Sequence, residues 1–159
     1  MAKGICYGRD AKLLAVPTLE LLTVPVLLNE TVVEDDALLC PMLDARRMEV
    51  YAAIYTRGLK EVRTVSADIV EAETYAEYLD RGPVYFFGNG AEKCIQTINH
   101  PNAHFIDGVN PLAKNMFPLS EKCMAQKEYQ DVAYFVPFYL KDFVAKVKTH
   151  PSLSKEEQV

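Results

Sequence analysis

The pattern of hydrophobic and polar positions is most regular between residues 48 and 55, where the side chains alternate in character from one residue to the next. A period of two, together with β-branched and aromatic residues, predicts a strand rather than a helix. A shorter apolar run at 38–43 precedes it, and Pro41 within that run is typical of an edge strand or a strand start. The two runs enclose the polar residues 44–47, so the sequence predicts a β-hairpin with Asp44 and Arg46 at its turn.

Further along the chain, the pattern predicts strands and helices in alternation. A third strand is expected at 59–65, followed by a helix over 69–80 that Ser66 or Asp68 caps. The continuous apolar run at 84–87 predicts a strand that is buried on both faces. It leads through Gly88, Asn89 and Gly90 into an expected helix at 91–98, and a further short strand is expected at 103–106.

The two ends of the chain predict helices and one buried strand. Residues 1–8 have the pattern of the end of a helix, and 13–16 that of a short buried strand. Thr18 is expected to cap a helix that Pro25 limits to about residue 24. A longer helix is expected from 111 or 112 to about 126, and Pro118 predicts that it starts late or is kinked. The whole pattern predicts an α/β fold with a mixed sheet, led by the hairpin, in the order β-β-β-α-β-α.

Composition and charge narrow the class of protein. The chain has 159 residues, of which 50% are hydrophobic, and a formal net charge of −5. No basic stretch is longer than Arg46-Arg47, so a direct grip on nucleic-acid phosphates is not expected from this chain alone. The four cysteines form no C-x-x-C pair and no signal peptide is recognised, which favours a reducing cytoplasm. The apolar stretch 13–28 is interrupted by prolines and a glutamate, so no membrane span is expected.

The hairpin turn is the first candidate for chemistry. A phosphate-binding loop needs backbone N–H groups close to the phosphates, and Arg46, Arg47 and Met48 make such a cradle sterically poor. Arg46 has a planar fork that can hold an anion, but the simpler interpretation is that Asp44 and Arg46 pair with each other or with the turn backbone. No spacing rule brings Asp44 and Glu49 together, so no catalytic carboxylate pair is predicted.

The segment Gly88-Asn89-Gly90 is the second candidate. It follows a buried strand and is expected to open a helix, a geometry that can receive a phosphate or an adenosine. It lacks the third glycine of the dinucleotide fingerprint. Glycines required by a tight strand-to-helix turn are therefore the simpler interpretation.

Two further groups of residues suggest chemistry and are discounted. His100 and His104 have the spacing H-x-x-x-H, but Pro101 is incompatible with a helix that would place both imidazoles on one face. No metal site is expected there. The aromatic residues of 134–143 are expected to lie in the core or in an interface rather than to stack on bases, because no basic residues alternate with them.

Three blocks of the sequence resemble the TsaB family, which is also called YeaZ. They are LDARRMEVYAAIY at 43–55, AKG at 2–4 with VPTL at 16–19, and VPFYLK at 136–141. The blocks occur in the family's order with similar spacing, whereas the likeness between residues 60 and 130 is weak. The resemblance implies an actin-like fold of the ASKHA, ribonuclease H-like type, built from two related lobes.

The resemblance also implies a function. Members of the family act in bacterial N6-threonylcarbamoyladenosine modification at position 37 of transfer RNA. They serve as non-catalytic scaffold subunits for a TsaD-type catalytic paralogue that works with a small TsaE-type ATPase. A homodimer is a further expectation, and no cofactor and no catalytic residue is expected. The alternative is an enzyme of the same fold, either a degenerate ATPase or a glycoprotease-like metallopeptidase.

The family pattern differs from this sequence at its start. Family members carry a strand with Asp-x-Ser/Thr and a Gly-rich segment upstream of Ala-Lys-Gly, and this chain starts at that tripeptide, Ala2-Lys3-Gly4. The expectation is therefore that nearly all of the first lobe is missing. The predicted organisation is a remnant of the N-terminal lobe at 1–30, a C-terminal actin-like lobe at 31–148 and a polar tail at 149–159.

The resemblance finally assigns a place to the two candidate turns. In nucleotide-binding relatives, the hairpin turn carries a glycine-containing phosphate loop, and the turn after the buried strand contacts adenosine. A vestigial ligand site is therefore expected at these two turns, with nucleotide binding weak or absent. Its residues are Asp44, Arg46, Glu49, Gly88, Asn89 and Gly90.

Overall fold

The computed structural model describes residues 1–29, 32 and 34–141. Five strands form one mixed sheet: β1 (Leu38–Asp44), β2 (Glu49–Thr56), β3 (Glu61–Ile69), β4 (Val84–Phe87) and β5 (Ala103–Ile106). Their order across the sheet is β3-β2-β1-β4-β5. β2 is antiparallel to both of its neighbours, whereas β1, β4 and β5 are parallel to one another. The predicted α/β class with a mixed sheet is confirmed.

Four helices accompany the sheet within the described residues. They are α1 (Ala2–Arg9), α2 (Thr18–Leu28), α3 (Ala76–Leu79) and α4 (Met116–Gln126), with single 3₁₀ turns at Glu92–Cys94 and Ala113–Asn115. Pro118 lies in the first turn of α4, where its missing N–H has no helical partner in any case, so the predicted late start is confirmed. In this part of the chain no helix is long and apolar enough to cross a membrane.

The hydrophobic core covers both faces of the central strands. On one face, alternate residues of the strands pack against α3 and the turns near Cys94 and Ile98. On the other face, the intervening residues pack against Leu22 and Val26 of α2. Each of the four residues of β4 is buried, as the continuous apolar run predicted. The faces are set by the two-residue period of the strands.

The predicted hairpin is present, but Pro41 does not mark an edge or a strand start. β1 is the central strand, and Pro41 is aligned with Phe87 of β4 in the parallel register. The antiparallel register with β2 passes from Leu39↔Tyr55 to Met42↔Ala52, and the two intervening positions of β1 do not pair with β2. The missing N–H of proline is accommodated in this local gap within the sheet.

The helix expected over 69–80 is wrong for most of its length. The third strand continues to Ile69, and only Ala76–Leu79 is helical. Ser66 and Asp68 do not cap a helix. They lie in β3, where the Ser66 hydroxyl donates to the Asp68 carboxylate at 2.8 Å. A buried polar network therefore replaces the expected helix start.

Three other local expectations are also wrong. Pro25 does not end α2, which continues to Leu28 because the residues around the proline, including Val24 and Val26, are buried. The expected helix at 91–98 is reduced to a 3₁₀ turn, so the second helix of the predicted order is absent between β4 and β5. Leu13–Val16 forms no strand, and Leu13 makes one isolated bridge to Gln130.

The division at residue 30 into lobes stays a prediction. The proposed tail at 149–159, and the aromatic segment beyond residue 141, lie outside the described residues. In the described residues, α2 and the sheet share one hydrophobic cluster, in which Leu19 and Leu22 pack with Leu39 of β1.

Candidate functional site

The hairpin turn between β1 and β2 is closed by its own backbone and by Asp44. The Ala45 N–H donates to the Glu49 carbonyl at 3.0 Å, and the Glu49 N–H donates to the Arg46 carbonyl at 3.0 Å. The Arg46 N–H donates to the Asp44 carboxylate at 3.1 Å. Asp44 thus bonds to the turn backbone, one of the two arrangements that the sequence suggested. A direct Asp44–Arg46 side-chain pair does not form.

Two lysines from distant parts of the chain meet the hairpin. The Lys93 ammonium contacts the Asp44 carboxylate and donates to the Glu49 carbonyl at 2.7 Å. The Lys141 ammonium pairs with the Glu49 carboxylate. The hydrogen bond from Lys93 and that from the Arg46 N–H hold the pKa of Asp44 below its usual value. Both carboxylates of the hairpin are therefore neutralised within the chain.

The turn at Gly88–Gly90 packs directly against the end of β1. The Gly90 N–H donates to the Met42 carbonyl at 3.1 Å, and the Asp44 N–H donates to the Asn89 side-chain oxygen at 3.1 Å. A Cβ atom at Gly88 would lie 2.4 Å from the Met42 carbonyl oxygen, and one at Gly90 would lie 2.8 Å from the Leu43 carbonyl carbon. This close backbone contact requires glycine at both positions. The space beside the two glycines is occupied by the backbone of β1.

The six candidate residues of the sequence therefore lie together at one end of the sheet. The structure joins the hairpin turn and the glycine turn through Asn89 and through Lys93. Sequence reasoning missed both lysines. Lys141 belongs to the third block of the family resemblance, whereas no signal in the sequence distinguished Lys93.

A groove of about 530 Å³ lies beside this end of the sheet. Gly88 and Asn89 form one side, and the residues that follow β5, from Asp107 to Asn110, form the other. Among the described residues, its charged side chains are Glu92 and Asp107, and no lysine or arginine lines it. The groove is thus suited to a neutral or cationic group better than to a phosphate.

A buried polar network on β3 was not predicted. The Arg63 guanidinium contacts the Asp68 carboxylate, and the Tyr75 hydroxyl donates to the same carboxylate at 2.7 Å. Burial raises the pKa of Asp68, but hydrogen bonds from Arg63, Tyr75 and Ser66 outweigh it, so the pKa is lower than usual. Tyr75 directly precedes α3, so the network connects β3 to the start of this helix and has the character of a structural ion pair.

His100 and His104 make different contacts and do not form a shared site. The His100 Nδ1 accepts from the Asn102 N–H at 3.1 Å, and the His104 ring stacks on Tyr85 with 4.8 Å between ring centroids. Among the described residues, no group of three His, Cys, Asp or Glu side chains is placed to hold a metal ion. Pro101 lies outside any helix, and the strand expected at 103–106 is present as β5.

The aromatic segment 134–140 does not lie in the core. Tyr134, Phe138 and Tyr139 are largely exposed. The segment lies beside α1, because the Lys3 ammonium donates to the carbonyls of Ala133 at 2.8 Å and Phe135 at 3.1 Å. The core alternative for this segment is therefore wrong within the described residues.

The comparisons with known proteins show a similarity in fold. No protein-family model matches the chain, and no curated protein matches its sequence. One solved structure, an uncharacterized protein with similarity to peptidase YeaZ from Pseudomonas aeruginosa, has a TM-score of 0.72 at 18% identity over 87% of this chain and 63% of its own. A second, YeaZ from Pseudomonas aeruginosa, has a TM-score of 0.66 at 18% identity over 87% of this chain and 64% of its own.

The likeness to YeaZ that the sequence blocks suggested therefore extends to the three-dimensional fold. The mixed sheet with its helices has the same fold as these two structures. The chain spans less than two thirds of the length of either solved structure.

Proposed function

We propose that this chain is a non-catalytic, TsaB-type scaffold subunit in N6-threonylcarbamoyladenosine modification at position 37 of transfer RNA. In this proposal it acts in the cytoplasm beside a TsaD-type catalytic paralogue and a TsaE-type ATPase. Two observations support the family assignment: the three sequence blocks, and the shared fold with YeaZ at TM-scores of 0.72 and 0.66.

One observation carries the non-catalytic part of the proposal. By the family resemblance, nucleotide-binding relatives contact phosphate at the turn after β1 and adenosine at the turn after β4. In this chain, the residues of these two turns bind one another. Asp44 and Glu49 are neutralised by Lys93 and Lys141, and Gly88 contacts the Met42 carbonyl with no room for a ligand between them. A phosphate would compete with these contacts instead of entering a free cradle.

Co-purification tests the scaffold role. The TsaD-type paralogue, tagged and co-expressed with the untagged full chain, is expected to retain the chain through affinity and size-exclusion steps. A matched control is a similar acidic protein of unrelated fold under the same conditions. If the paralogue does not retain the chain at either step, although both proteins are folded, the scaffold role is wrong.

A degenerate ATPase is the second candidate, and the groove of about 530 Å³ beside Gly88 and Asn89 is the observation that favours it. Glu92 and Asp107 in this groove oppose phosphate binding, which is the reason it ranks second. Calorimetric titration with ATP and magnesium distinguishes the two. Saturable stoichiometric uptake favours the ATPase, and the absence of measurable heat favours the scaffold.

A glycoprotease-like metallopeptidase is the remaining enzymatic alternative, since one structural neighbour is described by its similarity to a peptidase. Elemental analysis of the purified protein tests it. Stoichiometric zinc that survives dialysis would favour the peptidase over the scaffold.

A further inference from the structure

We propose that Arg46 and Arg47, here called the hairpin tip, form a docking site for a carboxylate-rich segment of a protein partner. The proposal rests on the geometry of the hairpin and goes beyond the scaffold role, so it stands or falls independently of threonylcarbamoylation. The backbone of the hairpin tip is unusual. Arg46 has a φ of 75° and Arg47 a φ of 47°, so two consecutive residues with side chains lie in the left-handed region.

This backbone is costly for arginine. Hairpin turns with two positive φ angles are usually built from Asn, Asp and Gly, because a Cβ atom in the left-handed region costs about 1–2 kcal/mol per residue. The turn hydrogen bonds involve only backbone atoms of Arg46 and no atom of Arg47. The fold therefore requires a turn at this place but gains nothing from the guanidinium groups. Residues held in such a conformation at a cost point to a function of their side chains.

Both guanidinium groups are available for an external partner. Arg46 and Arg47 are exposed, and among the residues that the structure describes no side-chain hydrogen bond or ion pair involves them. The nearest carboxylates in sequence, Asp44 and Glu49, are already paired with Lys93 and Lys141. The lysines thus remove the two local anions that would otherwise bind the arginines.

The charge distribution selects the class of ligand. The hairpin turn has two arginines at its tip, and two lysines are paired with the two carboxylates beside it, in a chain whose net charge is −5. The adjoining groove carries Glu92 and Asp107. A long polyanion such as RNA would run from the small cationic tip onto acidic surface, whereas a short cluster of carboxylates meets only the tip. The planar forks of two arginines match carboxylates in bidentate pairs.

Fluorescence anisotropy with a labelled oligoglutamate peptide tests the site on the full chain. The variant Arg46→Asn with Arg47→Gly places residues suited to positive φ at the tip, so it is expected to be at least as thermally stable as the parent. It is also expected to bind the peptide about tenfold more weakly. The control, Arg9→Gln with Lys12→Gln, removes the same charge from exposed positions near α1 and is expected to bind like the parent.

Each other outcome overturns the proposal. Equal binding by the tip variant and the parent would show that the arginines are not the site. An equal loss of peptide affinity in the control variant would show that only the net charge of the chain matters. Tighter binding of a labelled oligothymidylate or of inorganic phosphate than of the peptide would assign the tip to phosphate instead of carboxylate. A tip variant with a lower melting temperature would contradict the premise that the arginines are not needed by the fold.

Discussion

The Lys93 ammonium contacts the Asp44 carboxylate and at the same time donates a 2.7 Å hydrogen bond to the Glu49 carbonyl. Asp44 ends β1 and Glu49 begins β2, so one lysine side chain links the two strands where they meet the turn. Because Lys93 lies on the segment after β4, the same contact ties the glycine turn to the hairpin. Lys93 therefore stabilises the contact between the two turns that the sequence suggested as a ligand site.

Replacement Lys93→Met tests this unit. The apolar stem is kept, but the Asp44 carboxylate and the Glu49 carbonyl lose their partner. We expect the free energy of unfolding in urea to fall by about 1 kcal/mol. In an NMR titration, the pKa of Asp44 is expected to rise towards its ordinary value, because the hydrogen bond from Lys93 is the largest cause of its lowering.

The exposed pair Arg81–Glu77 supplies the control for Lys93. Its side chains are 69% and 66% exposed, against 23% for Lys93. Arg81→Met is therefore expected to change stability by less than about 0.5 kcal/mol. An equal effect of the two substitutions would show that Lys93 is only a surface charge.

Replacement Gly88→Ala tests the close contact between the glycine turn and β1. Gly88 has a φ of 98°, and an added Cβ atom would meet the Met42 carbonyl oxygen at 2.4 Å. Backbone strain and the clash together are expected to lower the free energy of unfolding by about 3 kcal/mol. Chemical denaturation gives the value.

Gly108→Ala isolates the strain from the clash. Gly108 also has a positive φ, 73°, but nothing lies within 4 Å of an added Cβ atom there. We expect a cost of only about 1 kcal/mol. If both alanine variants were equally stable, the contact between Gly88 and Met42 would not be a constraint on the sequence.

Replacement Asp68→Asn tests the buried network. Asp68 is 7% exposed, and the substitution leaves the Arg63 guanidinium without its carboxylate. We expect a loss of about 3 kcal/mol at neutral pH in urea denaturation. Replacement of the exposed Asp107 by Asn is the control and is expected to change stability little.

The contribution of Asp68 has a defined pH dependence. Its folded-state pKa is lowered, so its stabilisation is complete above the unfolded-state pKa of about 3.9 and is lost as the pH falls through the folded-state value. The stability difference between the parent and Asp68→Asn should therefore shrink in acid. A difference that stays constant down to about pH 3 would contradict this assignment.

Thiol reactivity tests the burial of the cysteines. Cys40 and Cys94 are buried, and burial raises the pKa of both thiols, whereas Cys6 and Cys123 are partly exposed. Reaction with Ellman's reagent is expected to be fast at Cys6 and Cys123 and to reach the other two only after unfolding. Four equal rates in the native protein would be inconsistent with the packing described.

The sequence predicted those parts of the fold that depend on neighbours in the chain. The two-residue period at 48–55 and the apolar run at 84–87 specified β2 and β4, and the polar residues between two strands specified the hairpin. Pro41 misled because its place in the sheet depends on the pairing of β1 with β4, which no local pattern reports. Edge and centre are properties of the whole sheet.

The failures at Ser66 and Asp68 have a similar cause. These residue types favour helix N-caps, but here the Asp68 carboxylate is held by Arg63 and Tyr75, so β3 continues through the expected cap. At the candidate site, the sequence supplied both turns and missed both lysines. Lys93 lies 49 residues from Asp44 and Lys141 lies 92 from Glu49, so only the folded chain brings them together.

Incorporation of threonylcarbamoyl groups into transfer RNA measures the proposed scaffold role. The purified TsaD-type paralogue, the TsaE-type ATPase, a threonylcarbamoyl donor and an unmodified transfer RNA are combined with and without the full chain. We expect modification that depends on the chain. We expect the same dependence with Lys141→Met, because Lys141 pairs with Glu49 of the hairpin and takes no part in the chemistry. Equal modification with and without the chain would contradict the scaffold role.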